Sequence, residues 1–586
     1  MMKNKESNVN VLKYIWQMLM YRPWFYLINC ILWITIHVFP LVPGLITKKI
    51  FDNLELTGRI NSGIELLMAA LIIIAVSRTI IILLGGFVDS NHRFSMSALL
   101  RRNMLEAIMN DPCLENKTSL GETMNCFRDD ASEIEDIISF TLDILGDGFF
   151  AVGAFVIMMS ISAKLTVVIV IPLLIVMVLS KRAMKNIRKY RISARNSTSA
   201  VSGAIGEIFS GIQAVKLSGN EGYILNNLRK LNDKRMKAMV LDKIFVTAMD
   251  SIFLTASAIG TGMILLLSRK YMAEGTISLG DFTLFIYYLP YVSDFAGFLG
   301  EIIARYKHGG VAFERMNKLL SDNSGKTILR HNSLHLKGKL EDENMPQETR
   351  EFRKLKIKNL SCVYDNGKGI NNVDLIIHRG EFIVVTGRIA SGKTTLLKAL
   401  LGLLPITGGT IYLNEELAGD RKKTFVPPVA AYTSQKPNLF SDTVKNNILL
   451  GMREDEAVID NAITASVLES DLDGFKEGLE TVIGSKGVKL SGGQRQRVAV
   501  ARMFARKAGL YIFDDISSAL DVETEAKLWN RMNEDMTAIV VSNRHAALTR
   551  ADKIVVMKDG HVEDNGTLDE LMERCDEMRQ IWGIEA

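Results

Sequence analysis

Eight residues at 387–394 have the composition of a phosphate-binding loop. They read Gly-Arg-Ile-Ala-Ser-Gly-Lys-Thr, end the apolar stretch FIVVTG and open the helical pattern TLLKALLGLL. Glycines let the backbone wrap an anion, and amide N–H groups at a helix N-terminus point toward it. Lys393 is placed to reach the β- and γ-phosphates of a nucleotide, and Thr394 offers a hydroxyl to Mg²⁺. The loop residues expected to contact ATP are Gly387, Ser391, Gly392, Lys393, Thr394 and Thr395.

Two adjacent acids follow a second apolar stretch, Leu-Tyr-Ile-Phe at 510–513. Asp514 ends this predicted buried strand, and its carboxylate is the hard oxygen ligand that Mg²⁺ prefers. Asp515 is a candidate general base, a role that requires hydrogen-bond reach to the attacking water molecule. The pair therefore predicts binding of a nucleotide with Mg²⁺ and raises the question of whether the chain hydrolyses it.

A third motif, Leu-Ser-Gly-Gly-Gln at 490–494, precedes the helical pattern RQRVAVARMFAR. Paired glycines before a helix create another N-terminus that can bind an anion. Periodicity and spacing alone indicate an α/β P-loop nucleoside triphosphatase with an additional phosphate-contacting loop. The residues of that loop are Ser491, Gly492, Gly493 and Gln494.

The string LSGGQRQR resembles the signature of the ATP-binding cassette (ABC) superfamily, and other motifs follow the order found in that family. Tyr364 resembles the aromatic residue that stacks on adenine. Gln435, within YTSQKPNLF, resembles the Q-loop glutamine that contacts Mg²⁺ and senses the membrane domain. Residues 518–521 resemble the D-loop. Together with six preceding apolar segments, the whole chain resembles a half-transporter of the six-helix ABC exporter type.

This resemblance implies that the chain works with a second ABC half-transporter and uses ATP and Mg²⁺ to move an exported substrate. Two ATP molecules would be sandwiched head to tail, each between the P-loop of one half and the signature of the other. ATP can drive the switch from inward-facing to outward-facing helices only through its higher affinity for the closed state. The Mg²⁺ ligands that the resemblance implies are Thr394, Gln435 and Asp514.

Two positions depart from the family pattern. The family usually has glutamate where Asp515 stands, and aspartate is one methylene shorter. The family's switch histidine aligns with Asn543, which can bind a γ-phosphate but cannot take up a proton near neutral pH. A shifted loop would instead bring His545 to that position. The predicted catalytic residues are Asp515, Asn543 and Gln435.

Both departures, beside an intact signature, favour the degenerate half of a heterodimeric exporter. Its own P-loop would hold ATP for long periods, and its LSGGQ would complete the partner's active site. A homodimer with slow but self-sufficient sites is the alternative. A gated ABC channel or a regulatory subunit is a third hypothesis. The substrate, whether drug, peptide or lipid, stays open because the fold does not decide it.

The elements that must position these motifs are of two kinds. Hydrophobic residues make up 48% of the 586-residue chain, with the excess in its first half. A bilayer crossing needs about 20 mostly apolar residues, and six segments qualify: 24–47, 64–88, 138–161, 165–183, 244–268 and 279–304. The sequence therefore predicts an all-α transmembrane domain of six long helices with cytoplasmic extensions. An α/β P-loop ATP-binding cassette domain is predicted to follow it.

The predicted boundaries are 1–320 for the membrane domain, 321–352 for a linker and 353–586 for the cassette. Basic residues cluster between the second and third spans and between the fourth and fifth, and basic loops stay cytoplasmic. Both termini and the ATP domain are therefore predicted inside, in a multi-pass, lipid-embedded protein of the cytoplasmic membrane. A net charge of +5 gives no support to nucleic-acid binding. Five scattered cysteines without a CxxC pair are expected to be free thiols.

Acids within the predicted spans are costly in a bilayer and suggest a function. Asp143 and Asp147 lie one helical turn apart in the third span, and the others are Asp250, Asp294 and Glu301. One hypothesis is a cavity that favours cationic or polar cargo. The alternative is that Asp143, Asp147 and Asp250 lie near the cytoplasmic ends of their helices, where water reaches them.

Overall fold

The chain divides into two compact units, Met1–Lys337 and Gly338–Ala586. The computed structural model describes residues 10–110, 120–320, 322, 324–334, 351–364, 366–484, 487, 489–533 and 535–585. Half of the predicted linker, from residue 335 to 350, lies outside the described residues, as do Cys113, one of the five cysteines, and the side chains of Asp250 and Glu301. Cys30, Cys126, Cys362 and Cys575 are buried free thiols.

The first unit is helical. A π-helical turn, Cys126–Asp130, precedes the long helix that begins at Ala131. The helices are α1 (Val11–Leu19), α2 (Pro23–Val38), α3 (Leu41–Thr57), α4 (Ser62–Asn110), α5 (Leu120–Asn125), α6 (Ala131–Ile161), α7 (Ala163–Ser210), α8 (Ile212–Ser218), α9 (Glu221–Ala273) and α10 (Leu279–Leu319).

The six predicted spans fall on α2–α3, α4, α6, α7, α9 and α10. The first span, predicted as one segment over 24–47, is in fact two helices separated at Phe39 and Pro40. Proline has no backbone N–H and cannot donate to the carbonyl four residues before it, which explains why the helical hydrogen bonding is interrupted there. α3 packs closely on α10, since a Cβ on Gly44 would lie 2.4 Å from the Tyr288 ring.

The helices of this unit have the lengths and surfaces of membrane helices. Among the described residues, Pro23–Thr57, Ser62–Asn110 and Gly121–Ile161 are long and apolar enough to cross a bilayer. Apolar side chains on α4 face outward, with Ile72, Ile73 and Phe87 exposed by 67%, 66% and 71%. α4 has 49 residues, so it is about 74 Å long at 1.5 Å per residue. That is more than twice the roughly 30 Å of hydrocarbon, so α4 extends well beyond the bilayer core.

Part of the predicted linker packs against the first unit. Ile328 is fully buried and belongs to the apolar cluster of Tyr14, Met96 and Phe313. Asn103 donates from Nδ2 to the carbonyl oxygens of Ile328 (2.7 Å) and Arg330 (2.8 Å). The chain therefore stays attached to the helical unit beyond the end of α10.

The second unit contains two β-sheets. A four-stranded sheet has the order β2-β1-β4-β5, and a six-stranded sheet has the order β10-β9-β3-β8-β7-β6. The strands are β1 (Lys354–Val363), β2 (Gly369–His378), β3 (Phe382–Gly387), β4 (Gly408–Leu413), β5 (Glu416–Leu417), β6 (Ala430–Thr433), β7 (Leu510–Asp514), β8 (Ala538–Val541), β9 (Lys553–Lys558) and β10 (His561–Gly566).

Helices cover the larger sheet and bury its apolar strands. They are α11 (Lys393–Leu400), α12 (Arg421–Thr424), α13 (Val444–Leu449), α14 (Glu456–Ala465), α15 (Glu469–Leu472), α16 (Gly492–Ala505), α17 (Val522–Arg531), α18 (His545–Arg550), α19 (Leu568–Arg574) and α20 (Asp576–Glu585). Strands β3, β8 and β7 are parallel neighbours. Their carboxyl ends meet at one edge of the sheet, which is where open α/β sheets bind ligands.

Candidate functional site

The P-loop, which follows β3, needs glycine at two backbone positions. Gly387 and Gly392 have φ angles of 147° and 105°. A Cβ on Gly387 would lie 2.2 Å from the Met557 carbonyl oxygen of β9, so glycine is required there. Lys393 begins α11 and donates from Nζ to the carbonyl oxygens of Gly387 and Arg388. Burial lowers the pKa of the Lys393 ammonium, while Asp515 and Asp514 oppose that effect.

Thr394 and Asp514 meet at the end of β7. Thr394 Oγ1 donates to Asp514 Oδ1 at 2.8 Å, and the Tyr432 hydroxyl donates to Asp514 Oδ2 at 3.2 Å. Asp514 is almost completely buried, and this oxygen-rich pair has the chemistry that Mg²⁺ requires. No sequence pattern pointed to Tyr432, which reaches the carboxylate from the neighbouring strand β6. Burial, followed by the field of Asp514, raises the pKa of Tyr432, so its hydroxyl stays a donor.

Asp515 and Gln435 form the next contact along this edge. Gln435 Nε2 donates to Asp515 Oδ2 at 2.7 Å. Burial raises the pKa of the Asp515 carboxyl, and the Gln435 hydrogen bond offsets part of that rise. A higher pKa makes the carboxylate a better proton acceptor, but the acceptor must still reach the water molecule. Asp515 also has a φ of 48°, a left-handed conformation that aspartate adopts more readily than most residues.

The segment after β8 places Asn543, not His545, against the P-loop. Asn543 Oδ1 accepts from Thr386 Oγ1 at 3.0 Å and lies 3.4 Å from the Gly387 amide nitrogen. The His545 ring stacks on Trp582 of α20 with 3.9 Å between centroids. Its Nε2 lies 3.2 Å from the Trp582 carbonyl oxygen. The catalytic role of Asn543 stays a prediction, but its contacts favour the register read from the sequence.

This arrangement predicts opposite outcomes for two alanine variants. Asn543→Ala should weaken ATP binding about tenfold, because a hydrogen-bonding group beside the γ-phosphate position is lost. His545→Ala should leave that affinity unchanged and lower the free energy of unfolding by about 1 kcal/mol, since one aromatic stack is lost. Titration with a fluorescent ATP analogue and thermal unfolding of the full chain in lipid nanodiscs would measure both. An affinity loss confined to His545→Ala would reverse the assignment.

Tyr364 lies beside the P-loop helix. Its hydroxyl is 3.3 Å from Thr395 Oγ1, and the side chain is 42% exposed. An exposed ring next to the phosphate loop is available for stacking on an adenine base. The adenine-stacking role of Tyr364 stays a prediction.

The signature motif begins α16 and faces solvent. Ser491 caps this helix in a capping box with Gln494, with each side chain bonded to the other's backbone amide. Gly493 lies close to the D-loop, since a Cβ there would be 3.1 Å from the Ala519 carbonyl oxygen. Gly492 is exposed. Among the described residues, no hydrogen bond joins the signature to the P-loop of the same chain, so its surface is free to meet a second cassette.

The arrangement matches known proteins over both units. Residues 26–294 match the family described as "ABC transporter transmembrane region", and residues 370–518 match "ABC transporter". A "Putative export ATP-binding/permease protein" of Rickettsia bellii is 25% identical over 562 residues, covering 92% of this chain and 93% of that protein. An "ATP-dependent lipid A-core flippase" of Haemophilus influenzae is 26% identical over 503 residues, covering 83% and 82%.

A solved structure shows the same fold. The ATP-bound structure of a bacterial Atm1-family ABC exporter superposes with a TM-score of 0.78 at 17% identity. The match covers 96% of this chain and 98% of that chain. The helical unit is thus a transmembrane domain and the second unit a nucleotide-binding domain. The chain belongs to the ABC transporter family, as an exporter-type half-transporter with an ATPase domain.

Proposed function

We propose that this chain is the ATP-retaining half of a heterodimeric exporter in the cytoplasmic membrane, with both termini inside. The observation that carries this proposal is the placement of Asn543 against the Gly387 amide while His545 is held by Trp582. An amide cannot exchange a proton near neutral pH as an imidazole does. With Asp515 as a short base, the chain's own site has two weakened groups.

The rest of the site favours retention of nucleotide. The P-loop, the Thr394–Asp514 pair and Tyr364 supply contacts for phosphate, metal and base. Thr394, Asp514 and Gln435 would hold Mg²⁺, which neutralises phosphate charge when it is bound. The exposed signature, with Ser491 and Gly492 at its tip, would complete the P-loop of the partner half. Most turnover would then occur in the partner's site.

Two alternatives make different predictions for the chain by itself. A homodimer with slow, self-sufficient sites would turn over ATP steadily without another protein. A gated channel or regulatory subunit would bind ATP without moving substrate against a gradient. The relatives named above include an exporter and a lipid A-core flippase, which favours export as the activity. Drug, peptide and lipid cargo all remain within the proposal.

Co-purification tests the heterodimer directly. We expect the tagged chain, extracted from its native membrane with mild detergent, to carry a second ABC half-transporter in equal amount. ATP turnover of that complex should fall at least about tenfold when Ser491 of this chain is replaced by arginine, because a bulky cation would occupy the phosphate-facing tip. Recovery of the tagged chain with only copies of itself would support the homodimer.

A further inference from the structure

The membrane domain contains a histidine between two carboxylates. His37 Nε2 of α2 lies 3.5 Å from Asp147 Oδ1 and 3.8 Å from Asp143 Oδ1 of α6. The ring lies directly on Gly146, where a Cβ would be 2.6 Å from His37 Nδ1. Asp143, Gly146 and Asp147 share one face of α6, at the helical spacing of three and four. Because Gly146 has no side chain, the His37 imidazole can lie between the two carboxylates.

The His37 ring has a hydrogen bond at its other nitrogen, Nδ1, and this bond determines how many protons His37, Asp143 and Asp147 must share. His37 Nδ1 lies 2.9 Å from the Trp33 carbonyl oxygen. A carbonyl oxygen only accepts, so Nδ1 carries the hydrogen and the neutral ring would present a lone pair at Nε2. A lone pair facing two carboxylates is repulsive. One proton must therefore lie on Nε2 or on one of the carboxyl groups.

The group lies well inside the membrane domain. His37 follows the start of α2 at Pro23 by about 21 Å at 1.5 Å per residue, and the hydrocarbon core is about 30 Å thick. Measured along α2, the group therefore lies more than half of that thickness from the start of the helix. Both carboxylates are about one-third exposed in the single chain. Lipid would not solvate them, so this face must meet water, protein or a ligand.

The surrounding charges leave an excess of carboxylate. The charged groups that act on Asp143 and Asp147, besides His37, are Asp89 of α4 and Asp294 and Arg305 of α10. Four carboxylates therefore face one guanidinium and one imidazole. Negative charge stays in excess even when the imidazole is protonated. An excess of one sign within a bilayer is costly unless a counter-ion balances it.

Polar atoms without partners extend from this group between α2, α4 and α6. Asn29 and Trp33 share the face of α2 that carries His37, at a spacing of four. Asn29 Nδ2 and Ser139 Oγ both donate to Asp89, each at 3.0 Å. Within the described residues Asn29 Oδ1, Trp33 Nε1 and both ring nitrogens of the fully buried His92 have no hydrogen-bond partner. Unpartnered buried polar atoms are uncommon in proteins, so the buried interface between these helices is unusually polar.

We propose that His37, Asp143 and Asp147 form a binding site for a monovalent cation. The site binds a proton when no cargo is present and an organic cation when cargo binds. Binding of the cargo releases one proton to water, so the charge of the site is unchanged. This inference deepens the proposed export function by naming amphipathic organic cations as a substrate class. The aromatic ring of Trp33 beside the site suits such cations.

Binding of tetraphenylphosphonium tests this site without ATP turnover. The full chain in nanodiscs, free of nucleotide, should bind radiolabelled tetraphenylphosphonium above the level of empty nanodiscs and above neutral triphenylphosphine oxide. Affinity should fall about tenfold from about pH 8 to about pH 5.5, because a proton and the cation compete for the same site. Asp143→Asn with Asp147→Asn should lower affinity at least about tenfold, since both attractive charges are lost.

Two controls keep the result interpretable. Asp136→Asn makes the same change on α6 at a carboxylate that pairs with Arg93, and it should bind as the parent does. His37→Gln retains both carboxylates and should bind the cation with a weaker dependence on pH, even if the double variant is poorly folded. Equal binding by the double variant, or equal binding of the neutral compound, would overturn the cation site. The heterodimer proposal would be untouched, because nucleotide plays no part in this assay.

Discussion

Lys393→Ala is expected to weaken ATP binding by at least about a hundredfold, which corresponds to about 2.7 kcal/mol. The Lys393 ammonium lies inside the P-loop, where it donates to the backbone carbonyls of Gly387 and Arg388. It is thus positioned to reach phosphate oxygens through charge-assisted hydrogen bonds, the strong class of such bonds. Asp514 and Asp515 help to keep it protonated despite its burial. Titration with a fluorescent ATP analogue would measure the loss.

A matched control lies on the same helix. Lys398 is in the last turn of α11, so Lys398→Ala removes an equal charge without altering the P-loop. Its ATP affinity should stay within about twofold of the parent, as is usual for a substitution outside a binding site. Equal ATP affinities for Lys393→Ala and the parent would contradict the assignment of residues 387–394 as the P-loop. They would also contradict the placement of the nucleotide in the cassette.

Asp515→Glu combined with Asn543→His should raise ATP turnover by roughly a hundredfold. A displacement of about 1 Å between a base and its water can cost that much, and glutamate restores one methylene of reach. Histidine at 543 would stand beside the Gly387 amide, where Asn543 now lies, and could exchange a proton near neutral pH. Steady-state ATP hydrolysis in lipid, at saturating ATP and Mg²⁺, is the measurement.

The triple variant with Lys393→Ala supplies the control, because any gain from the repaired site must vanish with nucleotide binding. Asp515→Glu alone should give a smaller gain, since Asn543 would still be unable to exchange a proton near neutral pH. A double variant no faster than the parent, with the partner half present, would contradict the proposal that these two residues limit turnover.

Much of the cassette site was predictable because it is local in sequence. Gly387, Gly392 and Lys393 lie within one loop, and strand periodicity was enough to place Asp514 at the end of β7. The hydrogen bonds of Gln435 to Asp515 and of Thr394 to Asp514 join segments far apart in the chain. The sequence predicted that these residues serve one nucleotide site, but it predicted neither hydrogen bond, since spacing alone does not fix strand order.

Contacts that depend on tertiary packing were not predicted from the sequence. His37 and Asp147 are separated by more than a hundred residues, and no local pattern links them. Their contact depends on α2 packing against α6 at Gly146. Trp582 likewise holds His545 through a helix at the far end of the chain. The break in the first span had a local cause in Pro40, but the apolar pattern continues across it.

The most direct test is ATP hydrolysis by this chain purified alone in lipid, with bound nucleotide counted in parallel. Our account predicts about one tightly held ATP per chain, lost in Lys393→Ala, and almost no steady turnover, because Asp515 and Asn543 limit hydrolysis and the partner's site is missing. Steady turnover that Lys393→Ala abolishes would contradict it. The chain would then be a self-sufficient homodimer in which Asp515 serves as the base.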